Sequence, residues 1–218
     1  FFMRIMFDIV KGKTTEAELR ALVDVMAGQF GMEYRLNCQS YRPKVVIMVS
    51  KFDHCLVDLL YRWRIGELPI EPVGIIANHP EETYKDIDFY GIPLHHLPIT
   101  TETKVEQEAR ILPVVDGSGA ALVVLARYMQ ILSNDMAAAL SGRCINIHHS
   151  FLPGFKGARP YHQAYERGVK LIGATAHYVT RDLDEGPIIE QDVERISHAD
   201  SPDDLIRKGR DIERRVLA

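Results

Sequence analysis

KVVIMVS (44–50), EPVGIIAN (71–78) and ALVVLA (121–126) decide the fold. Each is a continuous apolar run, the pattern of a parallel strand covered on both faces. Helix-length stretches separate them, expected over 53–65, 81–89 and 103–115, and this β/α alternation predicts an α/β protein with a doubly wound, mostly parallel sheet. RCINIH (143–148) follows a helix expected over 133–140 and supplies the next strand. LIGATAHYV (171–179) and PIIEQDVERI (187–196) are joined by a loop too short for a crossover helix. They are therefore expected as an antiparallel pair added at one side of the sheet. Ser201 is the expected cap of the last helix.

Upstream of Lys44 the pattern differs. FFMRIMFD (1–8) reads as a strand, and a helix is expected over 15–30, opened by a capping box of Thr15 and Glu18 and carrying Leu19, Leu22, Val23, Val25 and Met26 at roughly helical spacing. Gly31 ends it. Residues 32–37 would make a second strand, and SYRPK (40–44) is a polar, Pro-containing linker. The expected division is 1–39, a linker at 40–44, and a main domain over 45–218. The chain starts at Phe1 inside an apparent strand and stops at Ala218 inside an apparent helix, so both ends read as truncated. Apolar Phe1, Phe2, Met3 and Ile5 on a bare strand edge would suit association with another copy, hence an expected homo-oligomer.

The 218 residues carry 26 basic against 30 acidic side chains, a net charge of −4, and no long run of either sign. Such a chain has no field to attract nucleic acid or a lipid surface, which leaves a small-molecule substrate as the expectation. Cys38, Cys55 and Cys144 are odd in number, widely spaced and outside any C-x-x-C, a pattern that fits a reducing cytoplasm better than a disulfide framework or a cysteine zinc site. No apolar run approaches the roughly 20 residues of a membrane span.

The chemistry concentrates in INIHHSFLPGFKG (145–157) and GATAHYVTRDLDEGPIIEQ (173–191). Asn146 and His148 lie two apart on a strand end and so share a face. An amide there can donate to a carbonyl oxygen as it becomes an oxyanion, although an Asn that merely ends a strand is the plainer reading. His148 is a proton carrier for neutral pH. Asp184 could orient that imidazole and hold a water, with Asp182 as a competing candidate. The set has no Ser or Cys nucleophile. A zinc site from His148, His149, His162 and His177 with Asp184 is disfavoured by spacing, since no H-x-x-x-H lies on an expected helix. His177 reads as a packed or supporting residue. Arg127 to Leu132 follow the buried strand ALVVLA at the carboxyl end, where open α/β sheets bind ligands. PGFKGARPY, with Lys156, Gly157, Arg159 and Tyr161, reads as a loop able to close over a site or simply to lie in solvent.

Asn-x-His before Ser-x-Leu-Pro, with a downstream Asp two residues before Gly186, resembles the formyltransferase family that uses 10-formyltetrahydrofolate. The likeness runs over nearly the whole chain. It implies a formyltransferase-like Rossmann variant and a catalytic set of Asn146, His148 and Asp184, the Asp being 184 rather than 182. It implies no metal and no cofactor, the folate being the substrate, with Met129, Gln130, Ile131, Leu132, Arg181 and Leu183 as pterin neighbours. The hydrolase branch of the family carries an N-terminal ACT module, ferredoxin-like in fold, so 1–39 would be part of such a β-α-β regulatory segment, with an amino acid as its possible effector. Amine-using members hold a substrate phosphate on a Gly-rich loop after the first main strand. Here that place reads VSKFDHCLVDLL (49–60), without glycine, with bulky Lys51, Phe52 and His54 and an anionic Asp53. The implied reaction is hydrolysis of 10-formyltetrahydrofolate to formate and tetrahydrofolate, supplying formate for purine synthesis. Formyl transfer to an amine such as glycinamide ribonucleotide, or a non-catalytic folate or amino-acid sensor, are the competing readings.

Overall fold

The computed structural model describes residues 2–154 and 159–218, and it divides into two compact units, Phe1–Tyr41 and Arg42–Ala218. In the first unit, helix α1 (Glu16–Phe30) begins with the expected capping box. Glu18 N–H donates to the Thr15 hydroxyl, Thr15 N–H donates back to the Glu18 carboxylate, and Gly31 closes the helix in the left-handed conformation. Among the described residues, the strands expected over 1–8 and 32–37 are not formed. A strand exists only by pairing its backbone groups, and alternation of side chains carries no information about a partner. Phe2, Met3 and Ile5 accordingly stay exposed.

The second unit is a seven-stranded sheet in the order β3-β2-β1-β4-β5-β6-β7, with β1 Lys44–Val49, β2 Glu71–Ala77, β3 Leu94–His96, β4 Leu122–Leu125, β5 Cys144–His148, β6 Leu171–Tyr178 and β7 Ile188–Arg195. The first five run parallel, and β6 and β7 are antiparallel additions at one side, as the short 180–186 loop requires. Both faces are covered, so β1 alternates between two cores. Val45, Ile47 and Val49 pack with α2 (His54–Arg64), α5 (Pro160–Glu166) and α6 (Pro202–Leu217). Val46 and Met48 pack with α3 (Lys104–Gly117) and α4 (Asn134–Ala139) on the other face.

Three local expectations are corrected. The helix expected over 81–89 is one 3₁₀ turn, Glu81–Tyr84. The Asp88 carboxylate accepts from Tyr90 N–H at 2.7 Å, a local turn that competes with helix. The edge strand β3 has three residues, too few to show a period. Finally, part of the stretch read as a loop forms α5, with Pro160 in its first turn. Lys156 and Gly157 of that loop lie outside the described residues.

Candidate active site

β1, β4 and β5 are parallel neighbours, so their carboxyl ends meet at one edge of the sheet. The crossovers turn opposite ways between β1 and β4, and that is where an open α/β sheet leaves a crevice. A cleft of about 640 Å³ opens there. Its lining includes Asn146, His148 and Asp184 together with Met129, Gln130, Ile131, Leu132, Arg181 and Leu183.

Asn146 and His148 project from the same face of β5. Antiparallel β6 places His177 directly opposite Asn146, and Thr175 opposite His148. His177 Nδ1 lies 2.9 Å from the Tyr178 carbonyl, which can only accept, so Nδ1 carries the proton. Nε2 is then the acceptor for Asn146 Nδ2 at 3.2 Å. One amide hydrogen of Asn146 is thereby held, and the other has no partner among the described residues and is left for the cleft. His177, read from sequence as a packed or supporting residue, is the group that orients the candidate oxyanion donor. Buried Thr175 donates to the Ser150 carbonyl at 2.9 Å and accepts from Leu152 N–H at 3.0 Å, which fixes the turn leaving β5.

Asp184 comes from the 180–186 loop with φ 57°, a left-handed conformation. Gly186 seals that loop against β6, because a Cβ there would overlap the Tyr178 carbonyl oxygen. The Asp184 carboxylate lies 3.4 Å from His148 Nδ1 and 3.7 Å from His177 Nε2. Burial acts to raise its pKa, but the His148 hydrogen bond and the electrostatic influence of the neighbouring imidazoles outweigh burial and leave it below the ordinary carboxylate value. The other nitrogen of His148, Nε2, is buried and has no hydrogen-bond partner among the described residues. Asp182 is exposed, and its carbonyl closes the turn by accepting from the Thr180 hydroxyl at 3.0 Å.

The 128–133 segment is anchored at several points. Met129 N–H donates to the Ser50 hydroxyl at 2.9 Å, Tyr128 OH to buried Gln107 at 3.2 Å, and Ser133 N–H to the Glu108 carboxylate at 2.8 Å. Met129 and Ile131, with Leu183 across the cleft, keep large apolar surfaces exposed at its mouth, the character of a wall for a flat ring.

The cleft continues to the other face of the sheet, into an arm lined by Phe52, His54, Arg127, Tyr161, Arg210 and Glu213. Glu213 is almost fully buried. Its carboxylate accepts from Tyr161 OH at 2.6 Å, lies 2.8 Å from His54 Nε2, and stands 3.3 Å from Arg127 Nε. Burial acts to raise its pKa; the His54 hydrogen bond, the charges of Arg127 and His54, and the Tyr161 hydrogen bond override that and hold the carboxyl below its usual range. His149 packs on Tyr161, and burial together with the Arg127 charge pushes its pKa down to about 3, which keeps it neutral at pH 7. His54, Cys55 and Glu213 bring possible ligand atoms within 4.8 Å of one another. Burial and the Glu213 charge keep Cys55 a thiol, and both Glu213 oxygens are already engaged, so the group fits a salt-bridged cluster better than a metal cage. Sequence reasoning named Phe52, His54, Arg127 and Tyr161 singly but missed Glu213, the residue that joins His54, Arg127 and Tyr161 into one cluster. The available signal was an acidic residue on the apolar stripe Leu205, Gly209, Ile212, Val216 of α6.

Three comparisons bear on these residues. The Formyl transferase family model matches residues 43–218. A protein of Corynebacterium sp. (strain P-1) named formyltetrahydrofolate deformylase is 54% identical over 200 residues, covering 92% of this chain and 70% of that protein. The crystal structure of formyltetrahydrofolate deformylase from Burkholderia mallei superposes with a TM-score of 0.83 at 54% identity, over 94% of this chain and 73% of that one. Glycinamide ribonucleotide transformylase 1 from Symbiobacterium toebii shares the fold with a TM-score of 0.74 at 29% identity, over 84% of this chain and 87% of that one.

Proposed function

The chain belongs to the formyl transferase family, and from that premise we infer that it is a hydrolase of 10-formyltetrahydrofolate, releasing formate and tetrahydrofolate. The observation that carries the reading is the meeting of Asn146, His148 and Asp184 in one cleft, in a chain of which 92% aligns at 54% identity with a protein named formyltetrahydrofolate deformylase.

The chemistry follows from the donors available. The pterin lies along Met129 to Leu132 with Arg181 and Leu183 opposite, and presents its formyl group to β5. A water held by the Asp184 and His148 pair attacks the formyl carbon and gives up one proton to that pair. The oxygen that gains charge accepts from the free Asn146 amide hydrogen and from His148. Collapse breaks the bond from carbon to the folate nitrogen, that nitrogen takes up a proton, and formate leaves with release of the second proton of the water. Neither metal nor cofactor enters this scheme. The protein works in the cytoplasm as a homo-oligomer, with exposed Phe2, Met3 and Ile5 as contact residues, and 1–39 belongs to an ACT-type module whose effector is an amino acid.

The test supplies purified protein with 10-formyltetrahydrofolate, with and without glycinamide ribonucleotide, and measures formate, tetrahydrofolate and formylated acceptor. Formate release without acceptor is expected; turnover that depends on the amine would assign a transferase, and binding without turnover a sensor. His148→Ala and Asp184→Ala should each lower kcat about a hundred- to ten-thousandfold while leaving the circular dichroism spectrum and the cooperativity of melting intact.

A further inference from the structure

Arg127 takes no part in the scheme above, yet its surroundings leave it incomplete. It lines the cleft and is 8% exposed, and its Nε and Nη1 have no hydrogen-bond partner among the described residues. Glu213 stands 3.3 Å from Nε and balances the charge, but the pair is not aligned as a hydrogen bond, and both Glu213 oxygens already engage Tyr161 and His54. Buried N–H groups without an acceptor are costly, and a ligand that supplies one removes that cost.

The backbone explains how the guanidinium comes to be there. Two residues earlier, Leu125 of β4 is the partner of Asn146 on β5, and it packs on the α3 and α4 side. Continued extension would keep residue 127 on that side. Instead Arg127 adopts φ 63°, and its side chain crosses the carboxyl edge of the sheet to lie over the Phe52 ring, 5.9 Å from its centre, beside Glu213 of α6. The chain is pinned around this kink. Ser50 N–H donates to the Arg127 carbonyl at 3.3 Å, and Tyr128 OH to buried Gln107 at 3.2 Å. The free donors are thus held in place by the fold before any ligand arrives.

On the hydrolase reading, the pterin covers the mouth of the cleft and the formyl carbon sits at Asn146 and His148, so the arm is the space still open to what is released there. Formate is small, planar and anionic, a match for buried guanidinium N–H groups. We propose that Arg127 is the receptor for the product formate, drawing it away from Asn146 and His148 and holding it in the arm. This rests on the hydrolase reading and adds a product site to it; no covalent bond forms or breaks in the step. Added formate should inhibit turnover without competing with 10-formyltetrahydrofolate, since the two occupy different parts of one cleft.

The test titrates sodium formate, against sodium chloride at matched ionic strength, into the unaltered protein, Arg127→Met and Arg127→Lys, with calorimetry as the readout and circular dichroism as the check on folding. Arg127→Met should weaken formate binding at least about tenfold, and Arg127→Lys, which keeps the charge but not the planar fork, should recover part of that loss. Equal affinity in the unaltered protein and Arg127→Met, or no formate binding beyond that of chloride, would overturn the proposal. If Arg127→Met does not fold, nuclear magnetic resonance of the unaltered protein decides: formate must shift a solvent-protected arginine Nε–H signal, and failure to shift any overturns it. Formate release from 10-formyltetrahydrofolate is followed in parallel, with and without added formate. Competitive inhibition would place formate on the folate side and overturn the role of Arg127. Absent turnover with Arg127-dependent formate binding would remove the hydrolase reading and keep the anion site, whereas turnover without formate binding would remove only the site.

Discussion

At the scale of single residues, the candidate site is governed by which hydrogens are already committed. The carbonyl of Tyr178 sets the His177 tautomer, His177 takes one hydrogen of the Asn146 amide, and Asn146 keeps the other for the cleft. His177→Leu should therefore lower kcat about tenfold or more with little change in KM, since the amide is no longer aimed, while His177→Gln, able to accept through its carbonyl, should recover part of the loss. Steady-state kinetics on the two variants checks this. The Asp184 carboxylate has a folded pKa below its unfolded value of about 3.9, so its ionised form adds stability above that value, and the gain is lost as pH falls through the folded pKa. The melting temperatures of the unaltered protein and Asp184→Asn should accordingly converge as pH drops below about 4. Asn146 and His148 were legible because their two-residue spacing fixes a shared face whatever the tertiary structure. His177 was legible only as a strand residue, since its role depends on the β5–β6 register, which spacing within one strand does not encode.

The elements show the same division between local and non-local information. Continuous apolar runs gave the central strands to within a residue or two, and a capping box marked the start of α1 and a Ser cap that of α6, because those signals are local. The expected strands before Lys44 failed where a partner strand was needed, and the 81–89 helix failed where an Asp side chain captured a backbone N–H. The approach of α5 to α6 was likewise not readable. Tyr161 of α5 lies directly over Gly209 of α6, so closely that any Cβ on residue 209 would run into its ring. Gly209→Ala should thus destabilise by about 1–3 kcal/mol through overpacking, against the small gain that Ala ordinarily brings to a helix. Denaturant melting would measure it, and an unchanged or raised midpoint would mean that α5 and α6 are not packed in this way.

For the molecule as a whole, one sheet with two covered faces keeps the buried cysteines out of reach. Cys55 belongs to the core on the α2 and α6 face and Cys144 to the core on the α3 and α4 face; burial raises both thiol pKa values, that of Cys144 to about 12. Cys38 is exposed, and a hydrogen bond from Ser40 lowers its pKa. Iodoacetamide at pH 8 should alkylate Cys38 alone in the folded protein and all three in denaturant, with mass spectrometry of peptides as the readout. Labelling of Cys144 but not Cys55, or the reverse, would report that one face opens separately from the other. The assembly of the cleft also has an order in time. Its walls are drawn from Phe52 and His54, just after β1 in the first third of the chain, and from α6 beyond residue 200, and Glu213 meets His54 across 159 residues of sequence. A growing polypeptide on the ribosome can pair β1, β4 and β5 well before α6 emerges, but the cleft lacks the wall formed by Ile206, Arg210 and Glu213 until α6 has been added, so a shortened translation product would retain most of the sheet with one side of the cleft unbuilt.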